Sequence, residues 1–484
     1  MDDSGDQRRP LWTLFVVCTG VLMIGLDTTV VTVALPSIVA DLHAEHLSLS
    51  WIYNAYLLSF GGLLVVAGRL GDLYGRRRAF LWGIGTFTAS SLFCGIAHNL
   101  FSLVLFRAFQ GVGAALVSAV SLSLISGLFE EPRKRTWALG CYGLVGAVGG
   151  AIGDVMGGVV TGILNWHWVF LVNVVPGLGL IVLGLTLLQI DRPECQRDRL
   201  DALGALLLTS LSLLLVYVIV NGNEIGWDSW QTFTGCCGVI LLTGAFYRKE
   251  RRSWAPLIPR YLYGLQGFTA ASLVGALFTA ATFGWFVDSA LYLQNALGYS
   301  AIKVGLSYLP AEVITAAFAG GFSTRVIGRF GIRSPLFIGL LAVAAGFALF
   351  GRDPRGGYGL DLLPGIVLMG LGAGLAYTPL LLLAMNEVPE SDSGIVSGVL
   401  NMAFMLGGAI GVALISNAIG THTILPPAHD LHTAISSALS YRRGFVICSA
   451  LIIGALIFAL AALRGHPRHS ALAIVPVPRD ESVH

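Results

Sequence analysis

The chain has 484 residues, of which 55% are hydrophobic and only 12% charged, with a formal net charge of +2. That is too little charge to solvate a soluble protein of this length, and apolar runs of the roughly 20 residues needed to cross a bilayer recur from end to end. No stretch between them is long enough for a soluble domain, no phosphate-binding loop of the ATPase type occurs and no nucleophile–base arrangement stands out. ATP-driven transport and enzymatic chemistry are therefore set aside, and no nucleic-acid partner is expected.

The polar residues 1–10 lead into an apolar run from Leu11 to Val39. It is longer than a signal-peptide core, lacks a small-residue cleavage pattern and reads as a retained first helix. Hydropathy and length predict spans near 11–36, 51–68, 79–97, 100–127, 136–162, 167–189, 202–222, 231–247, 266–294, 300–323, 334–351, 361–385, 393–419 and 444–463. The expected fold is an all-α integral membrane protein of about 14 transmembrane helices. Its parts are a cytoplasmic N-terminus (1–10), a six-helix bundle (11–189), a cytoplasmic linker (190–200) and two inserted helices (201–247). A basic cytoplasmic linker (248–265), a second six-helix bundle (266–463) and a cytoplasmic tail (464–484) follow.

Twenty-three of the 29 basic residues fall on the side of the N-terminus and five on the other, with Arg107 inside a span. The positive-inside rule then places both termini in the cytoplasm of a multi-pass cell-membrane protein. The densest cluster is GRLGDLYGRRR at 68–78, where Asp72 and Arg76, Arg77 and Arg78 sit between two apolar spans. Gly68, Gly71 and Gly75 let helix ends approach closely there. Six of the seven cysteines lie inside apolar segments and Cys195 in a basic loop; their spacing suits packing groups, with no metal set. His422, His429, Asp430 and His432 read as a solvated loop.

Three short patterns repeat at nearly one offset, roughly 257 residues. GGAIG occurs at 149–153 and 407–411. Gly111-Val-Gly113-Ala114 returns as Gly370-Leu-Gly372-Ala373, and the 68–78 loop returns in degraded form as Arg325 to Gly331. A shared offset implies two related halves, the architecture of an alternating-access transporter.

Five ionisable residues fall within predicted spans: Asp27, Arg107, Asp154, Asp288 and Glu312. An unpaired charge in hydrocarbon costs at least about 2.5–3.5 kcal/mol, so each is a functional candidate. At about 1.5 Å per residue, Asp27, Arg107 and Asp154 lie roughly 13, 10 and 12 Å from the outer ends of their spans. Arg107 is therefore expected to be shared between Asp27 and Asp154, leaving one carboxyl group able to bind a proton near neutral pH. A purely structural ion pair, or an Asp154 that only balances Arg107, is the alternative. In the ninth span Trp285, Asp288 and Tyr292 share a face, and Tyr308 and Glu312 share one in the tenth. Carboxylates beside aromatic rings suit an amphipathic or cationic small molecule.

Several longer motifs are similar to those of the major facilitator superfamily, in its fourteen-helix drug:proton antiporter branch. They are Gly68 to Arg78, Leu103-x-x-x-Arg107-x-x-Gln110-Gly111-x-Gly113-Ala114-Ala115, Leu26-Asp27-Thr28-Thr29-Val30 through Ala34-Leu35-Pro36, and Tyr292-Leu293-Gln294 with Gly298-Tyr299-Ser300 and Leu309-Pro310. The resemblance covers nearly the whole chain. It departs twice: Gly153 is followed by Asp154 where the antiporter motif has proline, and Trp166-His167-Trp168 stands for Trp-Arg-Trp.

The resemblance implies proton-coupled export of small hydrophobic or amphipathic compounds, such as antibiotics, with no cofactor beyond the proton gradient. It assigns coupling to Asp27 and Arg107, and a cytoplasmic gate latch to Gly68, Asp72, Gly75, Arg76 and Arg77. Partners are the substrate, protons and membrane lipids, with the protein a monomer. An uptake symporter on the same fold and a non-transporting sensor are the competing readings.

Overall fold

The computed structural model describes residues 3–42, 46–126, 132–188, 202–224, 226–253, 260–318, 322–352, 357–385, 388, 393–419 and 431–463, and the regular structure among these is helical. The helices are α1 (Asp3–Leu42), α2 (His46–Tyr74), α3 (Arg76–Gly95), α4 (Leu100–Ser126), α5 (Pro132–Ile163), α6 (His167–Leu171) and α7 (Val174–Leu187). Then come α8 (Ala202–Glu224), α9 (Trp230–Arg252), α10 (Gln266–Leu291), α11 (Ala301–Ala317) and α12 (Ser323–Phe330). The chain continues through α13 (Arg333–Phe350), α14 (Leu363–Met385), α15 (Ser393–Ile419) and α16 (Leu431–Ala462). The sixth span is broken at Val172–Asn173 into α6 and α7. The last helix starts at Leu431, well before the expected residue 444. The linker 190–200, His422, His429, Asp430, Cys195 and the tail lie outside the described residues.

Nine helical stretches among the described residues are long and apolar enough to cross a bilayer. Two of the others, α3 and α9, fall short for visible reasons. α3 opens on three arginines and carries Thr86, Thr88, Ser90 and Ser91, while α9 ends in Lys249, Arg251 and Arg252, where cations complement a helix C-terminus. Serine caps set two starts: Ser229 Oγ accepts from the Thr232 N–H (3.2 Å) and Ser300 Oγ from that of Lys303 (3.3 Å).

The surface is apolar on the outside. On α7, Val175, Leu178, Val182 and Leu185 are exposed on one face, while Gly177, Leu180 and Gly184 are buried on the other against α3. That arrangement fits a helix whose outer face meets lipid.

Glycines bring the helices together. In the first half (α1–α7) Gly149 and Gly153 press on Leu22 and Leu26 of α1, Gly111 on Tyr56 of α2, and Gly113 on Gly83 and Phe87 of α3. In the second half (α10–α16) Gly407 and Gly411 press on Ala276 and Ala280 of α10, Gly370 on Ala311 of α11, and Gly372 on Gly339 and Val343 of α13. A Cβ on Gly113 would stand 2.6 Å from the Phe87 nitrogen, and one on Gly372 2.6 Å from the Gly339 carbonyl oxygen. Both are closer than atoms approach, so only glycine fits. The repeated sequence motifs thus occupy equivalent contacts in the two halves.

The halves meet where α2 packs on α15 and α5 on α11. α8 lies against both α2 and α15, and α9 packs on α8. Along α5 and α11 the contact lies at the end of the bundle remote from the start of α1, here the far end. Gly158 presses on Ala301, and a Cβ on Gly162 would stand 2.9 Å from Ile302 Cγ1. Gln294, in a π-helical turn after α10, donates to the Val33 carbonyl of α1 (3.0 Å) at the same end.

Candidate functional site

Asp27 and Arg107 are completely buried between α1 and α4. Arg107 Nη1 donates to Asp27 Oδ2 at 2.6 Å, and Arg107 Nε donates to the Ile52 carbonyl at 3.1 Å. Asp27 Oδ1 accepts from Gln110 Nε2 (2.8 Å) and Asn173 Nδ2 (3.0 Å). The Gln110 and Asn173 amides also donate to Ser91 Oγ (3.0 and 3.3 Å), whose hydroxyl donates to the Phe170 carbonyl (3.0 Å). The Tyr56 ring covers the guanidinium at 4.3 Å. Four helices and the α6–α7 junction thus close one network around a single carboxylate.

Sequence reasoning missed Gln110, Asn173 and Ser91. Gln110 lies one turn from Arg107, and Asn173 is an isolated amide in an apolar span. Both signals were available.

Asp154 is not part of this network, which corrects the expectation that Arg107 serves two carboxylates. Both Asp154 oxygens are buried without a hydrogen-bond partner. The cause is helix geometry: Gly149, Gly153 and Gly157 occupy the α5 face that presses on α1, so the following residue points away, toward α11. There its backbone abuts Gly305. A Cβ on Gly150, one turn before Asp154, would stand 3.8 Å from Glu312 Oε2. Glu312 is half-buried at this seam.

The aromatic face expected on α10 is turned into the second half, not toward the first. Trp285 packs on Phe347, Phe350 and Tyr308, and Tyr292 on Tyr441 and Phe445. Asp288 abuts Gly444 of α16, with both oxygens buried and unpartnered. Tyr308 joins this core through Ser289 (2.8 Å). The side of α10 that meets the first half carries Phe283, whose ring lies 6.1 Å from that of Tyr53. Of the five residues expected at a substrate site, the structure places Glu312 at the seam and Trp285, Asp288, Tyr292 and Tyr308 in the core of the second half.

In the 68–78 loop, Gly75 has φ +96° and precedes α3. Its counterpart Gly331 has φ +74° and lies two residues before the start of α13. Both are conformations that side chains disfavour. Each closes the preceding helix with an N–H bond, to Gly71 (2.9 Å) and to Ile327 (2.8 Å) respectively. Arg77 Nη2 donates to the Leu185 carbonyl (2.5 Å), placing a cation on the C-terminal end of α7. Gly68 has open space around it, Arg76 is half-buried, and the Asp72 side chain lies outside the described residues. At the far end Trp166 Nε1 donates to Asp41 Oδ2 (2.9 Å), and His167 stacks on Trp166 at 3.8 Å.

The profile of the Major Facilitator Superfamily matches residues 17–412. The chain belongs to the major facilitator superfamily. It is 36% identical over 459 residues to a puromycin resistance protein of Streptomyces alboniger, covering 94% of this chain and 90% of that one. It is 34% identical over 473 residues to a cephamycin export protein of Amycolatopsis lactamdurans, covering 96% of each. Among solved structures, a bacterial homologue of the lysosomal transporter Spinster, inward-facing and occupied, superposes with a TM-score of 0.68 at 16% identity, covering 94% of this chain and 97% of that one. The protein is thus a multi-pass membrane transporter and not an enzyme.

Proposed function

We propose that the protein exports small hydrophobic or amphipathic compounds, antibiotics among them, across the cell membrane in exchange for protons. Both termini face the cytoplasm, and the protein works as a monomer in direct contact with lipid. Puromycin resistance and cephamycin export in relatives that align over nearly the whole chain support the substrate class. The excess of basic residues at one end supports the orientation. The proton gradient drives the cycle and no cofactor is needed.

The observation that carries proton coupling is the set of groups around Asp27. Arg107, Gln110 and Asn173 all present N–H groups to it. A proton added to Asp27 needs an acceptor that this arrangement lacks, so it enters only as the network rearranges. Because the network ties α1 to α4 and the α6–α7 junction, rearrangement there acts on the packing of the first half. Protonation thereby biases the equilibrium between inward-open and outward-open states. Arg76 and Arg77, with Gly68, Asp72 and Gly75, form the cytoplasmic latch. Glu312 offers the seam a carboxylate for a cationic group on the substrate, with the aromatic rings of Trp285, Tyr292 and Tyr308, and Asp288 among them, supporting it from behind.

Everted vesicles test this reading. Substrate addition should release protons from the acidified interior, and Asp27→Asn should abolish proton-driven uptake of puromycin or a dye while surface expression persists. Proton movement in the same direction as substrate would overturn export in favour of symport. Undiminished transport by Asp27→Asn would remove Asp27 from coupling.

A further inference from the structure

Two acidic side chains lie along one seam between the halves: Glu312 Oε2 stands 3.8 Å from a Cβ built on Gly150, one turn from Asp154 on α5. Asp154 projects from α5 of the first half, and Glu312 from α11 of the second. Asp154 is fully buried and neither of its oxygens meets a donor. In hydrocarbon a bare carboxylate is strongly disfavoured, and a second carboxylate nearby disfavours it further. The backbones cannot relieve this by standing apart, because Gly158, Gly162 and Gly305 bring α5 and α11 into direct contact. The contact and two negative charges are incompatible; the contact and one negative charge are compatible if a proton lies between the carboxyl groups.

We propose that Asp154 and Glu312 together hold one proton between the two halves while the far ends of α5 and α11 touch, and that loss of this proton drives those ends apart. The step is a simple proton transfer. A carboxylic acid on one side chain donates to the carboxylate of the other, and on separation the proton passes to water, leaving two carboxylates. This site is distinct from Asp27–Arg107, where the cation is built in. It rests on the export reading only for its direction of use: a cationic substrate arriving at half-buried Glu312 would replace the proton and release it.

The charged and titratable groups on the surrounding elements can be named. α1 offers Asp27 and α4 Arg107, bonded to each other; α6 offers His167, stacked on Trp166. α2 offers Tyr53 and α14 Tyr377. α11 itself carries Tyr308, bonded to Ser289, and Lys303, whose ammonium lies 3.5 Å from the centre of the Tyr299 ring. Glu312 is the one that reaches α5 beside Asp154, its Oε2 3.8 Å from a Cβ built on Gly150, one turn away.

Sign follows directly. The touching state binds one more proton than the separated state, so it is favoured as pH falls and weakened as pH rises, by up to about tenfold per pH unit. A cysteine pair at Gly162→Cys and Ile302→Cys reports the contact through disulfide formation. The reference is the same cysteine pair carrying Asp154→Asn and Glu312→Gln, which has identical thiol chemistry and no charge at the seam. Cross-linking rates are compared at each pH between roughly pH 5 and pH 9, with the protein lacking the engineered cysteines as control.

The expected ratio of the acidic to the neutral protein is near one in acid and falls steeply in alkali. Adding Asp27→Asn should leave that fall intact even though proton-driven transport is lost, which separates this proposal from the export reading. If the double substitution prevents folding, Glu312→Gln alone serves as reference and should flatten the profile likewise. A ratio independent of pH overturns the proposal, and so does a fall that disappears with Asp27→Asn.

Discussion

The two halves of the molecule share a scaffold and differ in chemistry. Gly149 and Gly153 meet α1 as Gly407 and Gly411 meet α10, and Gly113 locks α4 to α3 as Gly372 locks α14 to α13. Gly75 and Gly331 make matching turns with positive φ. Equivalence can then be followed to the buried charges. Gly153 presses on Leu26 and Gly411 on Ala280, so Asp27 corresponds to Ala281; Arg107, four residues before Gly111, corresponds to Ile366. Both counterparts are buried and apolar. Backbone contact has been kept in duplicate, while the ion pair exists in one copy. A packing motif can be reused wherever helices cross, but a buried charge is tolerated only where partners surround it.

That contrast can be broken at three strengths. The largest effect should come from Arg107→Leu, which leaves Asp27 buried without its cation. It should cost about 3–5 kcal/mol and abolish transport, whereas the mirror change Ile366→Leu should cost less than about 1.5 kcal/mol. Thermal unfolding in detergent, with vesicle transport, measures both; equal losses would show that the ion pair has no special standing. Next come Gly113→Ala and Gly372→Ala. Each should destabilise by about 1–3 kcal/mol through overpacking, and by similar amounts if the scaffold is truly duplicated. Tolerance at one and collapse at the other would refute the equivalence. The smallest effect is expected of Arg77→Ala, which removes a cation from the end of α7, worth about 0.3–1 kcal/mol and fading with added salt. A loss insensitive to salt would assign Arg77 a packing role instead.

Much of the fold is legible in the sequence because hydropathy, glycine spacing and arginine placement are local signals. The repeated GGAIG and Gly-x-Gly-Ala motifs foretell the paired helix contacts. The Asp27–Arg107 pair is legible too, since two lone opposite charges at one depth have few other solutions. Side-chain direction is harder. Depth along the helix places Asp154 beside Arg107, yet the rotation imposed by Gly149, Gly153 and Gly157 turns it toward α11. Likewise Trp285, Asp288 and Tyr292 share a face as spacing requires, but nothing in spacing says which neighbour that face meets. Azimuth is fixed by tertiary contact, which a single sequence does not display.

The inserted helices add one mechanical consequence. Thr209 of α8 donates to the Gly62 carbonyl of α2 (2.9 Å), and its side chain seats against the same glycine. The opposite partner of α8 is α15, across the seam. A helix bonded to α2 and packed on α15 bridges the joint, so any rocking of the halves has to remake its contact with at least one of them.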